Sequence, residues 1–151
     1  MKKNILVLVG VLALSLSACS SPHTDDKKES VQTSTATSLE CVHVSQRTLE
    51  ALSTGITETA GLSGKIAAVK APDFKNVYFV AAQVSGTDVP ERVIGVWSTN
   101  GDVTSETMAT GFMSVNNYAK NFSDWGDASK GSGAIYDDEK GVAEAAACLS
   151  K

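Results

Sequence analysis

Apolar positions between residues 38 and 56 recur at the spacing of an amphipathic helix. One face of a helical wheel collects the apolar and small residues of this stretch, which are Cys41, Val42, Ser45, Leu49, Leu52 and Ile56. Thr37 and Glu40 have the spacing of a capping box, and Gly55 is a typical helix terminator. The pattern predicts a first helix that begins near Thr37 and turns Cys41 towards the interior.

From Ser63 onward the pattern changes to short apolar runs that are typical of strands. The predicted strands are residues 65–70, 76–84 and 92–98, and a fourth lies within 107–115. The run 76–84 is apolar on both faces, which is typical of a central strand. Pro72 and the pair Asn100-Gly101 are turn signals between runs. Because no helix intervenes, an antiparallel meander is the most economical arrangement.

Two short helices are predicted after the strands. Ser114 is a candidate cap for the first, whose apolar side carries Val115, Tyr118, Ala119 and Phe122. The acidic run Asp137-Asp138-Glu139 favours the start of the last helix, in which Val142, Ala145, Ala146 and Leu149 face inward beside Cys148. The expected fold is α+β, a two-layer domain with an antiparallel sheet of about four strands, packed by N- and C-terminal helices that a disulfide joins.

The N-terminal run differs from the rest of the chain. Lys2 and Lys3 precede an apolar segment, residues 5–16, of signal-peptide length. The sequence Leu16-Ser17-Ala18-Cys19 that follows resembles the lipobox of bacterial lipoproteins. The resemblance implies cleavage before Cys19 and attachment of diacylglycerol to its sulfur. The alternatives are an ordinary signal peptide near a cysteine, and a transmembrane helix, for which the segment falls short of the about 20 residues required.

Residues 20–37 are rich in Ser and Thr, lack aromatic residues and contain one isolated valine. Such a composition cannot bury enough apolar surface to offset the entropy of ordering. We therefore expect three parts: a lipoprotein signal peptide (1–18), a flexible tether (19–37) and one globular domain (38–151). As a random coil, the tether has a root-mean-square reach of about 25 Å.

The charge balance excludes some partners. The chain has 13 Lys and Arg against 17 Asp and Glu, and loss of Lys2 and Lys3 with the signal peptide leaves 11 against 17, a net charge near −6. Nucleic acids and anionic lipid headgroups are bound by clustered basic residues. We therefore predict no nucleic-acid partner, and a membrane association that depends on the lipid anchor.

The chain has three cysteines, of which the lipobox uses Cys19. Cys41 and Cys148 remain as a pair in an exported chain, where disulfides persist. A bridge between them would enclose nearly the whole domain, which is worth about 4–5 kcal/mol in the chain-entropy model. The alternative is a pair of buried thiols.

The sequence contains no constellation of catalytic residues that supports an enzyme. His43 is the one histidine in the predicted domain, and the motifs of hydrolase elbows and nucleotide-binding loops are missing from the sequence. Asp124 with Asp127, or the run 137–139, could offer oxygen ligands to calcium, although neither matches an EF-hand. We predict no catalytic residue, cofactor or metal site, and keep a hydrolase that uses acidic residues as an alternative.

A cluster of aromatic and amide residues offers a candidate partner-binding surface, formed by Trp125, Tyr118, Asn117 and Asp124. For Tyr118 and Phe122 the favoured interpretation is packing on the sheet with Trp97. Trp125 lies in a polar loop and is the better surface candidate. Its replacement by alanine is therefore expected to leave folding nearly intact.

Three short sequence segments of the domain are similar to small lipoproteins of Gram-positive bacteria and their phages. These segments are residues 78–82, 95–100 and 121–126. This resemblance implies no activity, but it implies the outer face of a single cell membrane. In a two-membrane cell, Ser20 would favour the outer membrane. We expect a monomeric, non-enzymatic binding module whose partner is an envelope protein or a wall component. A phage-type superinfection-exclusion lipoprotein is a second alternative beside the hydrolase.

Overall fold

The computed structural model describes residues 39–107 and 111–151. The predicted signal peptide, the tether and Cys19 lie outside these residues. The elements of the described part are β1 (Cys41–Val42), α1 (Gln46–Ser53), β2 (Ala60–Lys70), β3 (Tyr78–Gly86), β4 (Val93–Thr99), β5 (Phe112–Ser114), α2 (Asn117–Phe122), β6 (Gly126–Asp127) and α3 (Val142–Cys148). None of these helices has the length and apolar character that crossing a membrane requires.

The six strands form one mixed sheet in which spatial order follows chain order. Strands β1 to β5 pair antiparallel, whereas β6 runs parallel to β5. The α+β class and the central four-strand meander, β2 to β5, are therefore confirmed, but the number of strands is six and not four. The two additional strands have two residues each, which is too short to give a periodic pattern in sequence.

Both faces of the sheet are buried, which corrects the two-layer prediction. Along β3, Val80, Ala82 and Val84 belong to one core cluster, whereas Phe79 and Ala81 belong to another. Side chains alternate across a strand, so the two clusters lie on opposite faces. Helices α1 and α2 contribute to the first, here called the α1 face, and α3 covers the second, the α3 face. The two-sided apolar pattern of residues 76–84 requires cover on both sides.

The first helix begins eight residues later than a cap at Thr37 predicts. Ser45 caps it, and the Ser45 Oγ accepts a hydrogen bond of 3.2 Å from the Thr48 amide. Cys41 is not on this helix, because Cys41 pairs with Val69 as part of β1. Helix α1 ends at Ser53, close to the Gly55 terminator that the sequence predicts. A strand pairing along residues 41–42 therefore overrides the helical spacing of that stretch.

The Cys41–Cys148 disulfide is confirmed, with 5.8 Å between the two Cα atoms. It joins β1 to the last residue of α3, and not one terminal helix to the other, since α1 lies on the opposite face. Helix α3 begins at Val142, after the acidic run 137–139. The acid of its first turn is Glu144, which accepts a 2.9 Å hydrogen bond from the Gly141 amide.

Candidate interaction surface

Helix α2 is attached to the sheet by the side chain of Asn116. Its Oδ1 accepts hydrogen bonds from the amides of Ala119 (2.9 Å) and Val96 (3.1 Å), and its Nδ2 donates to the carbonyl of Ile94 (2.9 Å). The first of these caps α2, whereas the other two continue the pairing of β4 beyond the end of β5. Asn116, and not the predicted Ser114, is therefore the cap.

The C-terminal end of α2 is held by a buried network of hydroxyl groups. Trp97 Nε1 donates to Ser123 Oγ at 3.0 Å, and Ser123 Oγ donates to the Ala119 carbonyl at 2.6 Å. Ser114 Oγ lies 3.0 Å from Ser123 Oγ and 3.1 Å from the carbonyl of Trp125. Each hydroxyl carries one proton and two acceptor lone pairs, so the indole N–H and both serines find partners. The network fixes α2 on the α1 face.

The ring of Trp97 lies over Gly95 of the same strand, where a residue with a side chain would leave too little space. Trp97 is fully buried, and Gly95 lies two residues earlier on the same face of β4. A Cβ atom at Gly95 would clash with Trp97 Cη2. The spacing Gly95-x-Trp97 therefore allows the largest buried side chain to lie flat along its own strand.

Trp125 is half-buried and packs against the core of the α1 face, whereas its polar neighbours in sequence suggest an exposed loop residue. Its ring centroid lies 5.3 Å from that of Phe112, and its Nε1 donates a 3.0 Å hydrogen bond to the Leu52 carbonyl at the end of α1. A Cβ atom at Gly55 would clash with Trp125 Cε2. The polar neighbours of Trp125 in sequence conceal this tertiary contact.

The other three predicted surface residues are exposed. Asn117 and Tyr118 lie in the first turn of α2, and Asp124 follows the helix by two residues. Tyr118 is 46% exposed, so its predicted packing on the sheet is wrong, whereas Phe122 does pack against the core of the α1 face. The structure thus places Asn117, Tyr118 and Asp124 on the outside of a short segment whose inner side is anchored.

Sequence reasoning missed an ion pair beside this segment. Lys120 of α2 lies 2.9 Å from Asp127 of β6, and both side chains are largely covered. The Lys120 ammonium, followed by the amide and hydroxyl of Ser129, lowers the pKa of Asp127 below its ordinary value. Asp127 is therefore held as a carboxylate, whereas a general acid needs a raised pKa. The pair ties β6 to α2.

The acidic run 137–139 lies in a turn before α3. Asp124 is exposed and Asp127 is engaged with Lys120 and Ser129. Within residues 39–107 and 111–151, no group of three or more His, Cys, Asp or Glu side chains is placed to hold a metal ion.

The segment around α2 has an exposed aromatic ring, an amide and a carboxylate, and the hydrogen bonds of Asn116 and Ser123 hold it on the sheet. Aromatic side chains with a polar tip contribute strongly to interfaces when neighbouring groups exclude water around them. A platform whose inner side is fixed by Asn116 and Ser123 loses little entropy when a partner binds. We name the exposed outer side of this segment, Asn117, Tyr118 and Asp124, the α2 surface. Sequence reasoning missed Asn116 as the cap because Ser114, another cap-type residue, stands two positions earlier.

Comparison of the chain with protein-family models, with curated proteins and with solved structures gave no match.

Proposed function

We propose that the protein is a lipid-anchored module of the cell envelope that binds a partner through its folded domain. The observation that carries this proposal is the disulfide between Cys41 and Cys148. Structural disulfides persist in oxidising compartments outside the cytoplasm. The bridge uses two of the three cysteines of the chain, and the third is Cys19 of the lipobox-like sequence. Export and lipid attachment therefore account together for all three cysteines.

The anchor is tested by the mass of the mature N-terminus. We expect a protein that begins at Cys19, carries diacylglycerol on the sulfur and partitions into detergent. Cys19→Ala is expected to abolish both properties, because the thioether to the lipid requires the sulfur. Intact-mass spectrometry and detergent phase partitioning measure them.

Ser20→Ala is the matched control, since it changes the adjacent residue and leaves the sulfur in place. A mature chain that begins elsewhere, or one whose detergent partitioning survives Cys19→Ala, contradicts the anchor. Either result would contradict the lipid anchor but would not bear on the folded domain or its disulfide. The anchor and the binding by the folded domain are therefore tested separately.

The α2 surface is the proposed contact for an envelope protein or a wall component. It combines an exposed tyrosine, an amide and a carboxylate with a rigid support from the core. The domain is acidic, so a partner with basic or neutral polar groups fits it better than an anionic polymer.

Site-specific photo-cross-linking on intact cells tests this contact. A photoreactive phenylalanine analogue in place of Tyr118 is expected to give a discrete cross-linked product, because this position projects from the α2 surface. Tyr136 is the matched control, since it is 52% exposed and follows Ile135 of the opposite, α3 face. Equal yields of the same product from both positions, or none from position 118, would contradict binding by the α2 surface.

A further inference from the structure

A concave surface lies on the α3 face, beyond the C-terminal end of α3. Its volume is about 350 Å³. It is lined by Lys65, Gln83, Arg92, Ile94, Leu149 and Ser150. We call it the Lys65–Arg92 concavity. It is separate from the α2 surface, whose helix packs on the opposite face of the sheet.

The register of the sheet explains why this concavity is open. On the α3 face, Ala67, Ala81 and Val96 form a core with the residues of α3. Ala81 pairs with Val96, and two residues further along the same strands Gln83 pairs with Ile94. Lys65 precedes Ala67 by two residues on β2. The helix ends at Cys148, and Leu149 and Ser150, which follow it, line the concavity beside this row of the sheet.

Both basic side chains of the concavity start from irregular backbone. Lys65 lies where the register of β2 shifts between Leu62 and Ile66, directly after Gly64 with a φ of +84°. Arg92 has a φ of +61°, in the left-handed region that residues with a side chain seldom adopt. Bulges redirect side chains, and left-handed non-glycine residues cost about 1–3 kcal/mol. Two separate irregularities thus bring cations to the same concavity.

Neither cation serves a structural ion pair among the described residues. The ion pairs there are Arg47 with Glu50 and Lys120 with Asp127. The carbonyls of the last turn of α3 are also engaged, since the amides of residues 149, 150 and 151 donate to them at 3.2–3.4 Å. Capping of α3 therefore does not explain Lys65 and Arg92.

We propose that the Lys65–Arg92 concavity binds a carboxylate carried on an apolar group, as at the carboxyl terminus of a peptide. The planar guanidinium of Arg92 matches the two oxygens of a carboxylate, and the Lys65 ammonium adds a second positive charge. The apolar group packs on Ile94 and Leu149, and the Gln83 amide offers a hydrogen bond to the peptide group. This proposal is independent of the lipid anchor.

Titration of the full-length protein with N-acetyl-L-leucine tests the proposal, with N-acetyl-L-leucinamide as the uncharged control. The acid is expected to bind with a dissociation constant on the order of 1 mM, as suits so small a ligand. In ¹⁵N and methyl NMR spectra it is expected to shift the Gln83 side-chain amide and the Ile94 methyl groups. N-acetyl-D-alanyl-D-alanine is tested as a second acid. Tighter binding of N-acetyl-L-leucine indicates the carboxyl terminus of a protein, whereas tighter binding of the D-alanine peptide indicates a wall-type peptide.

The variants Arg92→Gln and Lys65→Gln are each expected to weaken binding by about tenfold, the value of a lost charge-assisted hydrogen bond. Lys70→Gln is the matched control, because it removes one positive charge from the opposite face of the same strand and should change the affinity little. The spectra of each variant report whether its fold is kept. The proposal is overturned if neither acid binds, if the amide binds as well as the acid, or if Lys70→Gln weakens binding as much as the other variants.

Discussion

Replacement of Cys41 by serine is expected to lower the free energy of unfolding by about 4 kcal/mol under oxidising conditions. Cys41 and Cys148 are 107 positions apart in sequence, so the bridge between them closes a long loop and removes a large amount of entropy from the unfolded chain. It also holds β1, which has two residues and pairs only with Ala68 and Val69 of β2. A strand this short adds little pairing energy of its own, so the covalent link keeps it at the edge of the sheet.

Denaturant unfolding, with and without a reducing agent, measures this effect. In the oxidised state Cys41→Ser and Cys148→Ser are expected to give the same loss, since either change breaks the same bridge. After reduction, the wild-type protein should be no more stable than the variants. Cys19→Ser is the control and is expected to leave the unfolding midpoint unchanged. A loss for Cys19→Ser equal to that for Cys41→Ser would contradict the pairing.

Replacement of Trp125 by alanine is expected to lower the free energy of unfolding by about 3 kcal/mol, at the lower end of the range for large aromatic residues because Trp125 is only half-buried. The change removes a ring that packs on Phe112 and covers Gly55. It also removes the donor to the Leu52 carbonyl at the end of α1. Without the ring packing and this hydrogen bond, the contact between α1 and the segment that follows α2 is weakened.

Two variants separate the parts of this effect. Trp125→Phe keeps an aromatic ring but lacks the indole N–H, so the difference between Trp125→Phe and Trp125→Ala reports the packing. Tyr118→Ala removes an exposed ring from the same region and is expected to change stability by about 0.5 kcal/mol or less. Thermal and urea unfolding measure all three. A Trp125→Ala protein as stable as Tyr118→Ala would show that the indole contributes no packing energy.

Local sequence patterns predicted the meander because β2, β3 and β4 contain continuous apolar runs. The predicted strands 76–84 and 92–98 correspond to β3 and β4, and each boundary differs by one or two residues. The same reasoning missed β1 and β6, because a pair of residues has no measurable period. It also began the first helix near Thr37 and so included Cys41, although the capping side chain is that of Ser45, eight residues later.

For the candidate surface, too, the sequence predicted one part of the arrangement and missed another. The sequence identified the segment that contains Tyr118 and Asp124, and both are exposed. It did not identify which aromatic residue points outward, because Trp125 has polar neighbours but contacts Leu52, 73 residues away along the chain. The carbonyl that accepts the indole N–H becomes available only when α1 and the loop after α2 are brought together.

The sequence by itself determined the acidic charge of the chain, predicted the α+β class and the order of the central strands, and favoured the pairing of Cys41 with Cys148. Each follows from composition or from patterns within about ten neighbouring residues. Tertiary structure decided that both faces of the sheet are covered, that the bridge joins β1 to α3, and that Lys65 and Arg92 line one concavity. These features depend on register and on contacts between distant segments, which local free energies of single elements do not specify.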